Sequence, residues 1–284
     1  DIEQVRKTSR WKRINLSEDI TVEFERTFEI CVNLENINIL PTVKNITSPG
    51  IFRNLSKVTI AECDPKWLEH FDRSKLKKVI IPEGSPDIKD IKESYFKDCA
   101  NLEFIKIPNS VTHIDERAFK DCKHIKSADC DQKWCKFFGW SKYTVDKACP
   151  FLKKEVFENW TSLKFLEIPI NITVKNIENG AFQNCNNIID LNCHPDLLQQ
   201  FGNKQGIKKV TIPNGVTEIK KDSFKGYVNL EQVIIPDTVK VDEGTFDDCK
   251  KLHSVKCNPK SYKFINLESF SIPSDMKITK DIFQ

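Results

Sequence analysis

Apolar and polar residues alternate in a short frame that recurs along the chain. The frame is L-x-x-V-x-I, and its clearest copies are IKKVTI at 207–212 and LEQVII at 230–235. Alternation of this kind, with Val and Ile at the inward positions, predicts a β-strand with one buried face. A proline follows many copies, as at Pro213 and Pro236. Since proline has no backbone donor, we expect each strand to end before it.

The frame occurs thirteen times, and consecutive long copies are about 22 residues apart, which predicts a solenoid of stacked repeats. Strands at the same position of neighbouring repeats would form one parallel sheet. The predicted fold class is therefore an α/β solenoid, an arc of about 13 turns with a parallel β-sheet on its concave face. The strands are expected to begin at Trp11, Leu34, Val58, Leu76, Leu102, Ile125, Trp140, Leu163, Ile188, Ile207, Leu230, Leu252 and Leu267.

In the long repeats a Phe stands about twelve residues after the frame, and we call this residue the plug. Its recurrence predicts that it fills the core between neighbouring repeats. Burying one such side chain contributes about 1.5 to 3 kcal/mol before conformational entropy is subtracted. Every third repeat is short, and in it the pattern predicts no plug. The predicted plugs are Phe28, Phe52, Phe96, Phe119, Phe157, Phe182, Phe224, Phe246 and Phe283.

The short repeats define a longer period of three turns. Each ends its strand in a cysteine, and these cysteines are 67, 63 and 64 residues apart. The residues that follow, such as CDPKWLEHF at 63–71, predict a small helical segment. The least regular stretch, 140–157, keeps the frame at Trp140, so we expect a degenerate repeat there and not a domain boundary. The prediction is one solenoid domain over 1–284, truncated or capped in an unusual way at both ends. The four cysteines are Cys63, Cys130, Cys193 and Cys257.

The full pattern, I-P-x-x-V-x-x-I-x-x-x-x-F-x-x-C-x-x-L, resembles the BspA-like class of leucine-rich repeats. This class occurs in bacterial surface proteins and in protozoan parasites, and the resemblance covers residues 11–283. It implies a leucine-rich repeat arc that binds proteins, either in adhesion or in another role at a surface. The cysteine-ended short repeats and the degenerate repeat from Trp140 depart from the pattern.

The eleven cysteines are expected to be packing residues. Five of them stand three residues after a plug, where other repeats have Leu55, Trp160 and Tyr227. A position that accepts Leu or Trp is a core position, and a buried free cysteine behaves as a small hydrophobe. Cys99 and Cys122, on adjacent repeats, are the neighbours that could still form a disulfide, while the pattern assigns no role to two further cysteines. The sequence has no C-x-x-C, so we predict no metal site. The five are Cys31, Cys99, Cys122, Cys185 and Cys249, and the two without an assignment are Cys135 and Cys149.

Two features of the sequence favour different compartments. An odd number of packing cysteines favours a reducing, cytoplasmic location. The family resemblance implies a cell-surface or secreted location, and five N-x-S/T sequons, more than the composition predicts, agree with it. The sequons begin at Asn15, Asn45, Asn54, Asn159 and Asn171.

Charge and motifs exclude several classes of function. The chain has 44 Lys and Arg against 41 Asp and Glu, a net charge of +3, so it shows no basic footprint for nucleic acid. No run of about 18 apolar residues occurs, and no transmembrane segment is predicted. G-x-S-x-G, H-E-x-x-H and the phosphate-binding glycine motifs are absent. We therefore predict no enzyme activity and no cofactor.

The outward strand positions are the candidate binding surface, because they would line the concave face of the solenoid. Lysines and glutamates recur there, with Lys12 beside Glu35, Lys77 beside Glu103 and Lys208 beside Glu231. These pairs are either a structural charge ladder or a striped surface for an acidic or mixed-charge protein segment. Apolar residues also recur there, either as scattered surface groups or as anchors for a partner. The candidate partner-binding residues are Lys77, Lys78, Ile80, Phe104, Lys106, Phe165, Ile189, Lys208, Lys209 and Ile234.

The sequence thus predicts a non-catalytic module that binds a protein partner on its concave sheet, with surface adhesion as one form of that role. The alternative is an intracellular scaffold or regulator that holds a partner enzyme. Reduced thiols throughout would favour the alternative, and mapped disulfides would favour export.

Overall fold

The computed structural model describes residues 10–17, 28, 30–47, 50–83 and 88–258. The chain divides into two compact units between Gly139 and Trp140. Each unit contains its own six-stranded parallel sheet and one small two-stranded parallel sheet. The expectation of one continuous solenoid domain over 1–284 stays a prediction.

In the first unit the main sheet has the order β1-β2-β3-β4-β6-β8, so its strands follow one another along the chain. The two strands left out of it, β5 and β7, pair with each other. This is the order that stacked repeats produce, because each repeat adds its strand beside the previous one. The strands are β1 (Arg13–Leu16), β2 (Asn36–Ile39), β3 (Ile60–Glu62), β4 (Lys78–Ile80), β5 (Asp90–Ile91), β6 (Phe104–Lys106), β7 (His113–Ile114) and β8 (Ser127–Asp129).

The second unit repeats this arrangement. Its main sheet has the order β9-β10-β11-β12-β14-β16, and β13 pairs with β15. A single turn of α-helix, α1 (Lys154–Phe157), lies between β9 and β10. The strands are β9 (Lys142–Thr144), β10 (Phe165–Glu167), β11 (Asp190–Asn192), β12 (Lys209–Thr211), β13 (Glu218–Ile219), β14 (Gln232–Ile234), β15 (Lys240–Val241) and β16 (Ser254–Lys256).

The helical segments predicted after the cysteine-ended strands are present as short 3-10 helices. In the first two copies an aspartate caps the helix, since Asp64 accepts from the backbone of Lys66 at 2.9 Å and Asp131 from that of Lys133 at 3.1 Å. The fourth copy, after Cys257, extends beyond the described residues. The 3-10 helices are η1 (Pro65–His70), η2 (Arg73–Lys75), η3 (Gln132–Phe138), η4 (Val174–Asn176), η5 (Pro195–Gln200) and η6 (Lys204–Gly206).

Twelve of the thirteen predicted strands lie in the described residues, and all twelve are present. Each begins two residues after its predicted start, because the first apolar residue of the frame precedes the strand pairing; that residue is buried in ten of the twelve copies, the exceptions being Trp11 and Trp140. The strands before Pro82 and Pro108 end two residues ahead of the proline, as expected. The thirteenth predicted strand, from Leu267, lies outside the described residues, so the total number of turns is not confirmed.

The plugs form the centre of each unit. All seven plugs from Phe52 to Phe246 are at most 5% exposed, which confirms their predicted role. Phe28 is half-buried, its ring 5.3 Å from that of Phe52, and Phe283 lies outside the described residues. Neighbouring plugs contact each other through their rings, with centroids 4.8 Å apart for Phe96 and Phe119. Such aromatic pairs contribute about 0.5 to 1.5 kcal/mol beyond the area they bury.

The prediction that short repeats lack a plug is wrong. In the three short segments that the structure describes, the last aromatic residue fills the same place, and its ring centroid lies 4.6 to 5.0 Å from that of the preceding plug. The short repeat reaches this place through its 3-10 helix and not through a long loop, so counting twelve residues misses it. The three residues are Phe71, Phe138 and Phe201. The period of three turns therefore has a physical counterpart in triplets of stacked rings.

The cysteine position after the plug is a core position, as predicted. All eight residues there are at most 6% exposed, whether they are Cys, Leu, Trp or Tyr. All eleven cysteines are free thiols, including Cys99 and Cys122. A hydrogen bond to Cys99, together with burial, raises the pKa of Cys122. Cys135, to which the sequence pattern assigned no role, makes a hydrogen bond with Cys130 that, together with burial, raises the pKa of Cys130.

Asparagines immediately before the frame tie neighbouring repeats together. The amide nitrogen of Asn101 donates to the carbonyl oxygen of Ser74 at 2.7 Å. Asn187 and Asn229 make the same bond to the preceding repeat, at 2.8 and 3.1 Å. Each bond satisfies a carbonyl that the sheet does not use, so these asparagines hold the register between repeats.

Candidate functional site

The exposed faces of the two main sheets hold the candidate site. In a typical strand such as β4, the middle residue is buried and the residues on either side of it are half-buried. All ten candidate residues are half-buried or exposed, so none belongs to the core. The structure places five of them, from Lys77 to Lys106, in the first unit and five, from Phe165 to Ile234, in the second. The candidate site is therefore two surfaces, which we call face 1 (the exposed face of the main sheet of the first unit) and face 2 (that of the main sheet of the second unit).

On face 1 an aromatic ring lies under a lysine. Lys78 and Phe104 are opposite each other in the register of β4 and β6, and Lys78 Nζ is 4.9 Å from the ring centroid. A cation over a ring at this distance is attracted by its quadrupole. Ile80 is opposite Lys106, so Ile80 and Phe104 are diagonal neighbours on adjacent strands. The two apolar groups still fall within the reach of one partner side chain, since diagonal positions are about 7 to 8 Å apart.

Lys106 is held between two carboxylates. Its Nζ lies 3.0 Å from Glu83 Oε1 and 3.5 Å from Asp129 Oδ2. The hydrogen bond to Glu83, with the negative charge of both carboxylates, raises the pKa of Lys106. Its ammonium is therefore a fixed positive charge beside Ile80.

The opposite edge of face 1 is a polar network that the sequence analysis missed. Arg13 Nη2 donates to Glu62 Oε2 at 3.0 Å, and Asn36 Nδ2 donates to Glu62 Oε1 at 2.8 Å. Asn38 Nδ2 donates to Asn15 Oδ1 at 3.0 Å. A sequence signal was available, because these residues occupy the same outward positions as Lys78 and Lys106. The network spans β1 to β3 and leaves the apolar groups of β4 and β6 as a separate patch.

Face 2 repeats the lysine and aromatic pair. Lys142 and Phe165 are opposite each other in β9 and β10, and Lys142 Nζ is 4.6 Å from the ring centroid. On its other side Phe165 is opposite Asp190, whose Oδ2 is 3.2 Å from Lys209 Nζ. Ile189 is the most exposed of the apolar candidates, at 43%. The aromatic ring is thus flanked by charges of both signs.

Face 2 also presents buried acceptors that no described donor uses. Glu167 accepts from Thr144 Oγ1 at 3.0 Å and from Asn192 Nδ2 at 3.2 Å. The side-chain oxygens Asp190 Oδ1 and Asn192 Oδ1 are buried without a hydrogen-bond partner in the described structure, and so is Asn36 Oδ1 on face 1. An unsatisfied buried acceptor costs about 1 to 3 kcal/mol, and these oxygens are covered by the protein itself, so they are not contact points of face 2.

Two of the three predicted lateral ion pairs are present. Lys12 is 3.2 Å from Glu35, and Lys208 is 3.0 Å from Glu231. The third is wrong as an ion pair, because Glu103 pairs with Lys126 at 2.7 Å on the side away from Lys77. The hydrogen bond from Lys126 is the main cause that lowers the pKa of Glu103. Lateral ion pairs therefore connect neighbouring repeats in both units, but Glu103 pairs with a lysine of the following repeat and not of the preceding one.

The guanidinium of Arg73, outside the two faces, has a structural role. Arg73 directs its guanidinium at backbone carbonyls, with Nε 3.1 Å from Leu68 O and Nη1 3.2 Å from Ser94 O. Within the described ranges no group of three or more His, Cys, Asp or Glu could hold a metal ion. No helix in this part of the chain is long and apolar enough to span a membrane.

A family model described as the BspA type leucine rich repeat region matches residues 5–65, 68–197, 135–253 and 198–284, with six copies. The chain belongs to this family. The parallel sheets of stacked short strands are those of a BspA-type α/β solenoid. Leucine-rich repeat proteins are generally non-catalytic, and membership of this family points to protein interaction or to a role at a surface.

Several solved structures are similar to this BspA-type chain. A leucine rich cell surface protein from Faecalibacterium prausnitzii is 19% identical with a TM-score of 0.34, and the match covers 90% of this chain and 82% of that one. A leucine-rich repeat protein from Bacteroides ovatus is 18% identical with a TM-score of 0.32, over 93% and 83%. An internalin from Listeria monocytogenes is 12% identical with a TM-score of 0.34, over 88% of each chain. No curated protein matches the chain.

Proposed function

We propose that this chain is a non-catalytic module that binds a protein partner through the exposed faces of its sheets. The observation that supports this most strongly is the pair of half-buried phenylalanines, Phe104 and Phe165, each under a lysine. Both stand at the first position of their strands, and the same arrangement occurs once on each face. Aromatic side chains bring large contact area at low entropic cost and dominate binding energy at protein interfaces.

The surroundings of the two rings suit a protein segment of mixed charge. On face 1 the fixed ammonium of Lys106 stands beside Ile80, and on face 2 Asp190 and Lys209 stand beside Phe165. Adhesion to another protein at a surface is the form of this function that we favour, because the chain belongs to the BspA-type family.

Capture of binding partners by face variants tests the proposal. The intact chain is used as bait in extracts, and retained proteins are compared with those on the Phe104→Glu/Ile80→Glu and Phe165→Glu/Ile189→Glu variants. Loss of one aromatic anchor is expected to cost at least about 2 kcal/mol, roughly thirtyfold in Kd. Lys97→Glu, an exposed charge change outside the strands, serves as the matched control.

We expect at least one protein to be retained by the intact chain and by the Lys97→Glu control but lost with one of the face variants. If every retained protein stays bound to both face variants, the sheet faces do not bind partners. Circular dichroism of each variant excludes loss of binding through unfolding.

A further inference from the structure

The five sequons of the chain share an orientation that the repeat imposes. All five asparagines are exposed, and so are the hydroxyl residues two positions later. In four of the five the middle residue is buried, at 6% exposure or less. The polar atoms that an oligosaccharyltransferase recognises therefore lie outside the core in every sequon.

Some of these sequons have structural roles. Asn15 Oδ1 accepts from Asn38 in the network of face 1. Asn171 Nδ2 donates to Lys147 O at 2.7 Å, and Thr173 Oγ1 donates to Asn176 Oδ1 at 2.9 Å. Asn45 is likewise engaged with a neighbour. Packing and hydrogen bonding are reason enough for polar residues at these places.

The sequons at Asn54 and Asn159 are different. Each begins two residues after a plug, at the same position of a repeat, and there is one in each unit. Their middle residues, Leu55 and Trp160, fill the core position that is often cysteine, and each is 4% exposed. Within the described part of the chain, no side-chain hydrogen bond is made by Asn54, Ser56, Asn159 or Thr161.

The backbone explains only part of this pattern. Asn159 has a φ of 62°, a left-handed conformation that Asn adopts more readily than most residues, and Asp98 has the same conformation at the equivalent position of another repeat. This accounts for an asparagine at 159 but not for a hydroxyl at 161. At the other sequon, backbone conformation explains neither the asparagine at 54 nor the hydroxyl residue at 56.

We propose that Asn54 and Asn159 carry N-linked oligosaccharides. In the transfer, the bond between the first sugar carbon and the pyrophosphate of a lipid-linked oligosaccharide breaks. A new bond forms between that carbon and Nδ2 of the asparagine, which loses one proton, and the lipid pyrophosphate leaves. Both asparagines lie in turns outside the strands, so the glycans leave the candidate residues of faces 1 and 2 unmodified.

The free thiols are compatible with the export that glycosylation requires. Burial raises the pKa of Cys185 and of Cys249 to about 12, and it raises the pKa of Cys63 and Cys193 as well. A thiol with a raised pKa has little thiolate at neutral pH, and the thiolate is the species that exchanges with disulfides. These four thiols are therefore expected to exchange slowly with disulfides once the units have folded.

The test is translation of the full chain, fused to a cleavable leader, in the presence of microsomes, followed by mass spectrometry of the protease-protected fraction. Removal of N-glycans by an amidase converts each modified Asn to Asp and marks the site. The variants Ser56→Ala and Thr161→Ala destroy the two sequons without touching the asparagines, so the backbone at Asn159 is preserved. Asn184→Gln is the matched control, because Asn184 also stands two residues after a plug but lies outside any sequon.

We expect glycans at Asn54 and Asn159 in the protected chain. Ser56→Ala and Thr161→Ala each remove one of them, and Asn184→Gln leaves both in place. The deglycosylated chain and the unmodified chain should show the same circular dichroism. Protected chain with Asn54 or Asn159 unmodified would overturn the proposal for that site, as would a glycan that persists at either position in its alanine variant.

Discussion

Gly202 lies where the backbones of two neighbouring repeats approach each other. A Cβ at this position would lie 2.4 Å from the carbonyl oxygen of Gln183 and 3.0 Å from its Cα. Both are backbone atoms, which move only if the repeats separate. The glycine is therefore required by the close approach of the chains and not by its own φ.

We expect Gly202→Ala to lower the free energy of unfolding by about 1 to 3 kcal/mol, the usual cost of overpacking. Gly206→Ala is the comparison variant, because a Cβ there would displace side-chain atoms of Asn203, with loss of the hydrogen bond to Asn186 O, but would not separate two backbones. Urea denaturation measures both. Equal losses in the two variants would mean that the approach at Gly202 is not a tight one.

At the scale of single residues, the sequence predicted burial well and partners less well. The burial of the eight residues that stand three positions after a plug was predicted correctly, because Cys, Leu, Trp and Tyr replace one another there, as they do at a core position. The partner of Glu103 was predicted wrongly, because Lys77 and Lys126 stand on either side of it and only the side-chain conformations decide between them. Glu62 was missed because its two donors come from different strands.

At the scale of elements, the stack of rings holds the repeats of each unit together. Phe138 closes the triplet that begins with Phe96 and continues with Phe119, at ring centroid distances of 4.8 and 5.0 Å. The short repeat thus contributes a buried ring to the stack, as a long one does. Its plug comes from η3 and not from a loop.

Phe138→Ala is therefore expected to lower the free energy of unfolding by about 3 to 5 kcal/mol, the range for a buried Phe. Phe137→Ala is the matched control, because the ring of the adjacent Phe137 is half-buried and pairs with Lys136 at 5.6 Å. We expect it to cost about 1 kcal/mol, the size of an exposed cation–π contact. Chemical denaturation compares them, and similar losses would show that the short repeat has no plug.

The elements themselves were predictable because their signal is periodic. A strand of three residues carries little information alone, but twelve copies in one frame locate it to within two residues. The small sheets of β5 with β7 and of β13 with β15 were not predicted, because two residues pair there without a distinct pattern. The two lysine and aromatic pairs were also missed, since they depend on register between strands.

At the scale of the whole molecule, the sequence predicts one continuous array, with the stretch 140–157 as a degenerate repeat. If the array is continuous, a change in one unit should propagate, because each repeat is stabilised by its neighbours. Calorimetry of the Phe138→Ala variant should then show one transition that shifts as a whole. Two transitions, of which only one shifts, would contradict the prediction.

The division of the strands into a buried side and an exposed side supports both the fold and the proposed function. The most direct test is the stability of the Phe104→Glu/Ile80→Glu variant beside that of Phe119→Ala, measured by urea denaturation. Phe104 and Ile80 are half-buried on face 1, whereas Phe119 is 4% exposed in the ring stack. We predict a loss below about 1.5 kcal/mol for the double variant, as for surface changes, and of about 3 to 5 kcal/mol for Phe119→Ala. A double variant that loses as much as Phe119→Ala would show that Phe104 and Ile80 belong to the core, and face 1 would not be a binding surface.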